Sequence, residues 1–447
     1  MPKSNLERSF LGSYKVSRYN IVSRAEDEAF ILYNSLTGAR VLMESSLLEE
    51  QQIRAFESDA WSDGVPLPEK ELLATFVELG FFVPTEIDEL EVQLTRHRGL
   101  ACNPSLRRVT VVLTRKCNLG CNYCYQDKDL ADPRLNIDQI VAHLKGQAVP
   151  GGRLQVTWFG GEPMLRLSLI EELTHAVRDH CRSIGTQYQA STSTNGVLLD
   201  KARIEKLLAL DVRRYQISLD GPPEIQEHRR PSLNQAPTYD TILENIGLLL
   251  DAGAQVDIKV IIDRENWQRV PELFADLARR DLLNRLRFGI QETEGKFAAL
   301  MYDPCFGSFE EYTQAKMKLK RVLCDLGYKL AEPAQKGEFC SATSEYSTII
   351  DMSGEAYRCA TEPENSVGAL VSDGSVSLQR PEYEQIFTTR DGLSDEACKT
   401  CKVLPICGGG CTIAAEKMAR RSRCSYFRTE IRNYLTLLDS QERGFIS

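Results

Sequence analysis

From Arg108 onward the chain alternates between two hydrophobic periods. Short apolar or alternating runs recur at RVTVVL (108–113), LQVTWF (154–159), YQASTST (188–194), RYQISL (214–219), QVDIKVII (255–262) and RLRFGI (285–290). Between them lie longer stretches with helical spacing: SLIEELTHAVRDHC, DKARIEKLLAL, YDTILENIGLLLDAG and WQRVPELFADLARRD. Strands alternating with helices predict an α/β domain built on a parallel sheet. Six strand signals are fewer than the eight of a closed barrel, so the expectation is a partial (β/α)6 barrel over residues 105–305.

The flanks read differently. Residues 1–90 offer two short strands in AFILYNSLTGARVLME around a Ser35–Gly38 turn, then two helices, SSLLEEQQIRAFES and EKELLATFVELG, and a short strand at Phe81–Val83. A hairpin followed by helices predicts a winged-helix-like α+β domain. Residues 84–104, acidic and then basic, read as a connection, with the linker proper at 91–104. Residues 306–335 carry a bridging helix, and 336–447 are rich in Gly, Ser and Cys, with short strands (YSTIID, EAYRCA) and a final helix from Tyr426 to about Leu438.

Composition narrows the class. A net charge of -9 counts against a general nucleic-acid binder, which would carry a basic stripe. No run of about 18 apolar residues offers a membrane span, and the N-terminal MPKSNLERSFLGSYK lacks the apolar core of a secretory signal. The expectation is a cytoplasmic protein with no membrane partner. In that compartment 14 cysteines point to metal or catalysis rather than to disulfides. Ten are clustered: Cys117, Cys121 and Cys124, then Cys340, Cys359, Cys398, Cys401, Cys407, Cys411 and Cys424. Cys102, Cys181, Cys305 and Cys324 are scattered and read as small buried hydrophobes.

CNLGCNYC at 117–124 is a C-x3-C-x2-C motif directly after the first barrel strand. Three thiolates with no nearby histidine do not close a tetrahedral zinc site. They suit a [4Fe–4S] cluster with one open iron. With Tyr123 before its last cysteine, the motif resembles the radical S-adenosylmethionine (SAM) family. Three further segments extend the resemblance. WFGGEP at 158–163 ends the second strand and matches that family's GGEP element, bringing Gly160, Gly161, Glu162 and Pro163. STNG at 193–196 ends the third and SLDG at 218–221 the fourth. The resemblance implies SAM contacts at Tyr123, Gly160, Gly161, Glu162, Pro163, Thr192, Asn195, Ser218 and Asp220. In this reading the glycines let the backbone approach a ligand and the carboxylate holds the ammonium of methionine. It also implies the chemistry: the reduced cluster cleaves SAM to methionine and a 5′-deoxyadenosyl radical, which takes hydrogen from a substrate. Arg229 or Arg230 is a candidate for the SAM carboxylate, and Lys259 another if it faces into the barrel.

The C-terminal cysteines, C-x13-G-x4-C and then C-x2-C-x5-C-x3-C with a later Cys424, resemble the seven-cysteine SPASM extension. That resemblance implies two auxiliary [4Fe–4S] clusters, hence three in all. Cys398, Cys401, Cys407 and Cys424 would ligate the distal one, and Cys340, Cys359 and Cys411 the proximal one. The proximal set is one ligand short, with Cys324, Cys305, Cys102 or an open iron as the alternatives. A zinc site is the competing reading of the same spacing.

Family members of this kind mostly modify peptides or proteins, and the N-terminal domain resembles leader-peptide recognition domains. The implied function is maturation of a ribosomally synthesised precursor peptide to a thioether or a C–C or C–O crosslink. An external flavodoxin- or ferredoxin-type reductant would supply the electron. Two rivals are an anaerobic sulfatase-maturing enzyme and a zinc-binding winged-helix regulator. The sulfatase-maturing family carries a catalytic Asp after the second SPASM cysteine, where this chain has Ala360.

Overall fold

A computed structural model describes residues 13–443 apart from 26, 28, 61–64, 127–135, 293–304, 334–339, 361–364, 383, 386–394 and 412–423. It divides into two compact units. The first joins Met1–Ala101, Lys329–Cys340 and Arg390–Ser447; the second joins Cys102–Tyr328 and Ser341–Thr389.

In the first unit, β1 (Tyr14–Val16) precedes a three-stranded antiparallel sheet of β2 (Asn20–Arg24), β3 (Phe30–Asn34) and β4 (Arg40–Met43). The expected hairpin is β3–β4. Its turn is closed by the Asn34 N–H donating to the Ala39 carbonyl at 2.9 Å, with Gly38 at φ +78. Helices α1 (Glu50–Ser58) and α2 (Lys70–Glu78) follow, and β5 (Phe82–Pro84) pairs back on β1. Phe56, Phe76, Phe81 and Phe82 form the centre of this core. The expected linker is instead a helix, α3 (Glu89–Ala101). Asp88 Oδ1 accepts from the N–H groups of Leu90 (2.9 Å) and Glu91 (3.2 Å) at its start. The acidic-then-basic order that suggested a connection is the order a helix dipole favours, with Glu89 and Glu91 in the first turn and Arg98 in the last.

The second unit contains the six expected strands, in sequence order and all parallel: β6 (Leu106–Val112), β7 (Arg153–Phe159), β8 (Gln187–Thr194), β9 (Val212–Ser218), β10 (Gln255–Ile262) and β11 (Arg287–Glu292). The connections carry α4 (Ile137–Gln147), α5 (Leu167–Ser183), α6 (Lys201–Ala209), α7 (Pro223–Arg229), α8 (Tyr239–Asp251) and α9 (Val270–Arg279), with α10 (Phe309–Asp325) after β11. Beyond β6 the sheet continues with β12 (Ser347–Asp351), parallel to β6, then β13 (Glu355–Tyr357), β14 (Ser366–Leu370) and β15 (Val376–Leu378), all antiparallel. The result is a six-stranded parallel α/β sheet with a mixed extension at one edge.

Alternate strand residues build the core against the helices: Val109 and Val111, Val156 and Trp158, Tyr215 and Ile217, Val256, Ile258 and Val260. The other face is polar. Thr157 Oγ1 and Ser191 Oγ lie 3.0 Å apart, and Gln155 donates to Gln189 at 3.3 Å. Near the strand starts, Asp257 accepts from Arg214 (2.6 Å) and Arg287 (2.7 Å). Lys259, in register with Ser218 and Gly289, lies on this polar face, which settles the orientation that alternation alone left open.

The chain re-enters the first unit through the short helices α11 (Glu396–Lys399) and α12 (Leu404–Cys407) and ends in α13 (Phe427–Glu442). The expected segment 336–447 is therefore divided between the units. No described helix is long and apolar enough to cross a membrane.

Candidate active site

Cys117, Cys121 and Cys124 sit on the loop after β6, at the carboxyl ends of the parallel strands, where sheets of this kind place their ligands. Cys117 and Cys121 are half-buried and Cys124 is exposed. The loop is fixed by backbone bonds to two neighbouring loops. Gly161 N–H donates to the Thr114 carbonyl (2.8 Å) and Glu162 N–H to Lys116 (2.9 Å). Gly120 N–H donates to Pro231 (2.7 Å) and Asn122 N–H to Arg229 (3.1 Å).

The first pair of bonds explains the two glycines. A Cβ on Gly160 would lie 2.4 Å from the Thr114 carbonyl oxygen, and one on Gly161 would lie 2.3 Å from that of Lys116. Gly160 also has φ +144, a conformation closed to most side chains. The glycines expected to admit a ligand are thus required by close approach of the cysteine loop itself.

Glu162 is fully buried. Its Oε1 accepts from the Met164 N–H (3.0 Å) and the Thr194 hydroxyl (2.7 Å), and its Oε2 from the Asn195 N–H (2.8 Å). Burial raises its carboxyl above the usual range, and those three donors pull it partly back. In this structure Glu162 joins the loop after β7 to the loop after β8. Pro163 opens the short 3-10 turn that follows, at a position where no N–H is needed. Thr192, an expected SAM contact, points elsewhere: its hydroxyl donates to the Trp158 carbonyl at 3.1 Å. Thr194, two residues on along the same face of β8, is the one that reaches Glu162. Asn195 Nδ2 donates to Asn118 Oδ1 (2.7 Å) and lies 3.8 Å from Cys117 Sγ, while the Leu119 N–H lies 3.4 Å from the same sulfur.

Beneath the loop is a buried charge network. Tyr123 Oη donates to Asp220 Oδ2 and accepts from Arg230 Nη1 at 2.5 Å. Burial raises the phenol far above its usual value, so Tyr123 stays protonated. The Arg229 guanidinium lies 4.8 Å from the centre of the Tyr123 ring. It donates to Asp263 Oδ2 at 2.5 Å and lies 3.6 Å from Asp220. Burial opposes its charge, but Asp220 and Asp263 more than restore it. Asp220 also accepts from the Ile261 N–H at 3.0 Å. Asp220, expected as a SAM contact, here anchors Tyr123, and Arg229, a candidate for the SAM carboxylate, is an internal counter-ion. Ser218 ends β9 beside Lys259 on the polar face.

In the first unit, Cys398, Cys401, Cys407 and Cys424 come together. Arg428 Nη1 lies 3.0 Å from Cys424 Sγ, and its charge is supported by Cys424, Cys401 and Cys398. Burial raises the Cys401 thiol, and Cys407 and Cys424 act on it in the same direction. Cys340 and Cys411 belong to this unit and Cys359 to the other. Of the scattered cysteines, Cys181 and Cys324 are buried as expected, Cys305 is intermediate and Cys102 is exposed. Burial pushes the Cys324 thiol up to about 11, which disfavours the thiolate a metal needs.

Among the described residues no three His, Cys, Asp or Glu side chains converge on a point suited to one metal ion. A cubane cluster takes each thiolate at a different iron and needs them held apart. Partly exposed thiols with N–H groups aimed at Cys117 fit such a cluster, because those donors favour the thiolate.

Comparison with known proteins agrees. Residues 111–277 match the radical SAM superfamily. Mycofactocin maturase MftC of Mycolicibacterium smegmatis is 29% identical over 68% of this chain and 78% of its own length. Fe-coproporphyrin III synthase of Methanosarcina barkeri is 24% identical over 68% and 82%. A serine-type anaerobic sulfatase-maturating enzyme of Klebsiella aerogenes is 23% identical over 70% and 81%. The structure of anSMEcpe with bound AdoMet and Kp18Cys peptide aligns with a TM-score of 0.56 at 18% identity, over 75% of this chain and 99% of that one. Residues 111–277 therefore form a radical SAM domain, a kind of domain that implies SAM and a [4Fe–4S] cluster.

Proposed function

We propose that this enzyme modifies a ribosomally synthesised precursor peptide, taking hydrogen from one of its residues to form a thioether or a C–C or C–O crosslink. The observation that carries this is the C-x3-C-x2-C loop, clamped at the ends of four parallel strands above a polar, open face. When bound there, the cluster and SAM supply the radical. The protein's own part is positioning. Gly160, Gly161 and Asn195 hold the cysteine loop, the Tyr123–Asp220 pair fixes its last turn, and Ser218 and Lys259 present a hydroxyl and a cation to whatever occupies the polar face. Cys117, Cys121 and Cys124 are the proposed ligands of the SAM-cleaving cluster. Cys398, Cys401, Cys407 and Cys424 would hold a distal auxiliary cluster, with Cys340, Cys359 and Cys411 for a proximal one. The N-terminal domain would take the leader as an added strand on its small sheet. A flavodoxin- or ferredoxin-type protein would deliver electrons in the cytoplasm.

Peptide chemistry is favoured by the maturase relative and by the peptide in the anSMEcpe structure. The sulfatase-maturing reading is disfavoured by Ala360. Reconstituted protein, SAM, reductant and a candidate precursor peptide should give 5′-deoxyadenosine together with a peptide lighter by a pair of hydrogen atoms per bond formed. If 5′-deoxyadenosine forms while the peptide keeps its mass, and a sulfatase or a tetrapyrrole is converted instead, the peptide assignment is wrong.

A further inference from the structure

The four-cysteine site does not stand alone in its unit. Cys401 and Cys407 pack on an apolar cluster that includes Ile21, Ile31 and Tyr33 of β2 and β3. Cys398 packs against Tyr19 and Leu404. Lys402, set between two of the cysteines, extends into the N-terminal domain. Its ammonium donates to the Asn20 carbonyl (3.0 Å), the Glu57 carbonyl (2.7 Å) and Asp59 Oδ1 (2.6 Å). That uses all three of its donors. Glu57 and Asp59 mark the carboxyl end of α1, where unpaired carbonyls and the helix dipole favour a cation. The tie is returned by Ser35, whose hydroxyl donates to the Lys402 carbonyl. Arg18 donates to the Lys399 carbonyl at 2.6 Å, and Arg432 to the Val22 carbonyl at 2.9 Å.

We infer that the β2–β3 sheet is part of the four-cysteine site, and that Lys402 is the positioning residue that couples them. Cluster loading and N-terminal domain stability are then linked. Because linkage is reciprocal, whatever the metal group does for the order of the sheet, the sheet does for retention of the metal group. A polypeptide or any other ligand that alters the sheet would alter the cluster's environment by the same route. The inference rests on the assignment of a cluster to Cys398, Cys401, Cys407 and Cys424.

The test uses the full chain. Hydrogen exchange over residues 20–34 is compared in iron–sulfur-loaded and cluster-free wild-type protein, and should slow on loading. Lys402→Met and Ser35→Ala, analysed for iron and sulfide, should each lower retention, with Lys402→Met approaching a loss of about four irons per chain. Exchange over 20–34 that is identical in both forms, or full iron in Lys402→Met, overturns the linkage. The Cys398→Ser, Cys401→Ser, Cys407→Ser, Cys424→Ser variant separates the two claims. If it keeps all of its iron, the cluster assignment falls and the inference with it. If it loses iron while exchange is unaltered, the inference alone falls.

Discussion

Gly161→Ala is expected to slow SAM cleavage about 100-fold while leaving the protein folded. The added Cβ would sit 2.3 Å from the Lys116 carbonyl oxygen and 2.6 Å from that of Arg115. Both are backbone atoms, so no side chain can rotate away. The loop must shift instead, and Cys117 follows Lys116 directly. Misplacing reacting groups by about 1 Å costs about two orders of magnitude in rate. The overpacking itself costs about 1–3 kcal/mol, within the stability of a chain this size. The check is 5′-deoxyadenosine formation beside thermal unfolding of the same preparation. A rate within threefold of wild type would mean that the contact does not position the loop. Gly99→Ala is the control, because nothing lies within 4 Å of its Cβ position.

Arg229→Ala is expected to act on stability first, by about 3–5 kcal/mol, as removal of one partner from a buried ionic set does. The side chain is only 2% exposed, and its loss leaves Asp263 and Asp220 facing each other's surroundings without their guanidinium. Arg229→Lys should not restore the loss, since an ammonium cannot serve Asp263 and Asp220 with a planar fork. Denaturant midpoints of the apo-protein measure this independently of iron content. A change under 1 kcal/mol would show that the network is not a structural support of the loop.

The sequence was most legible where local period and spacing decide the outcome. All six parallel strands and the four helices read from period stand where alternation puts them, because each buries one regular face against the other layer; Ile137–Gln147 and Pro223–Arg229 are helices that the reading lacks. The cysteine, GGEP, STNG and SLDG loops do follow successive strands and do meet around Cys117 to Cys124. What was not legible depends on partners far along the chain. Gly160 and Gly161 read as room for a ligand, because the Thr114 and Lys116 carbonyls that fill that space are known only from the fold. Thr192 is the expected contact, while Thr194, on the same side of the strand, is the residue that reaches Glu162. Arg229 reads as a candidate for the SAM carboxylate, because Asp263, 34 residues away, is brought to it only by the fold. The return of the C-terminal cysteines to the N-terminal sheet rests on contacts such as Arg18 to Lys399, separated by 381 residues, which no local signal announces. The helix at Glu89–Ala101 is hidden for a simpler reason: few apolar positions mark its face, and its acidic-then-basic order reads as plain composition until the helix gives it a dipole.

The reading of this protein as a SAM-cleaving enzyme stands on Cys117, Cys121 and Cys124 as the ligands of the cluster that does the cleaving. The direct test is the variant Cys117→Ala, Cys121→Ala, Cys124→Ala, reconstituted under reducing, anaerobic conditions and assayed for 5′-deoxyadenosine. Cleavage should fall to background with a loss of about four irons per chain, the remaining iron being retained. Cleavage at the wild-type rate in that variant would contradict it.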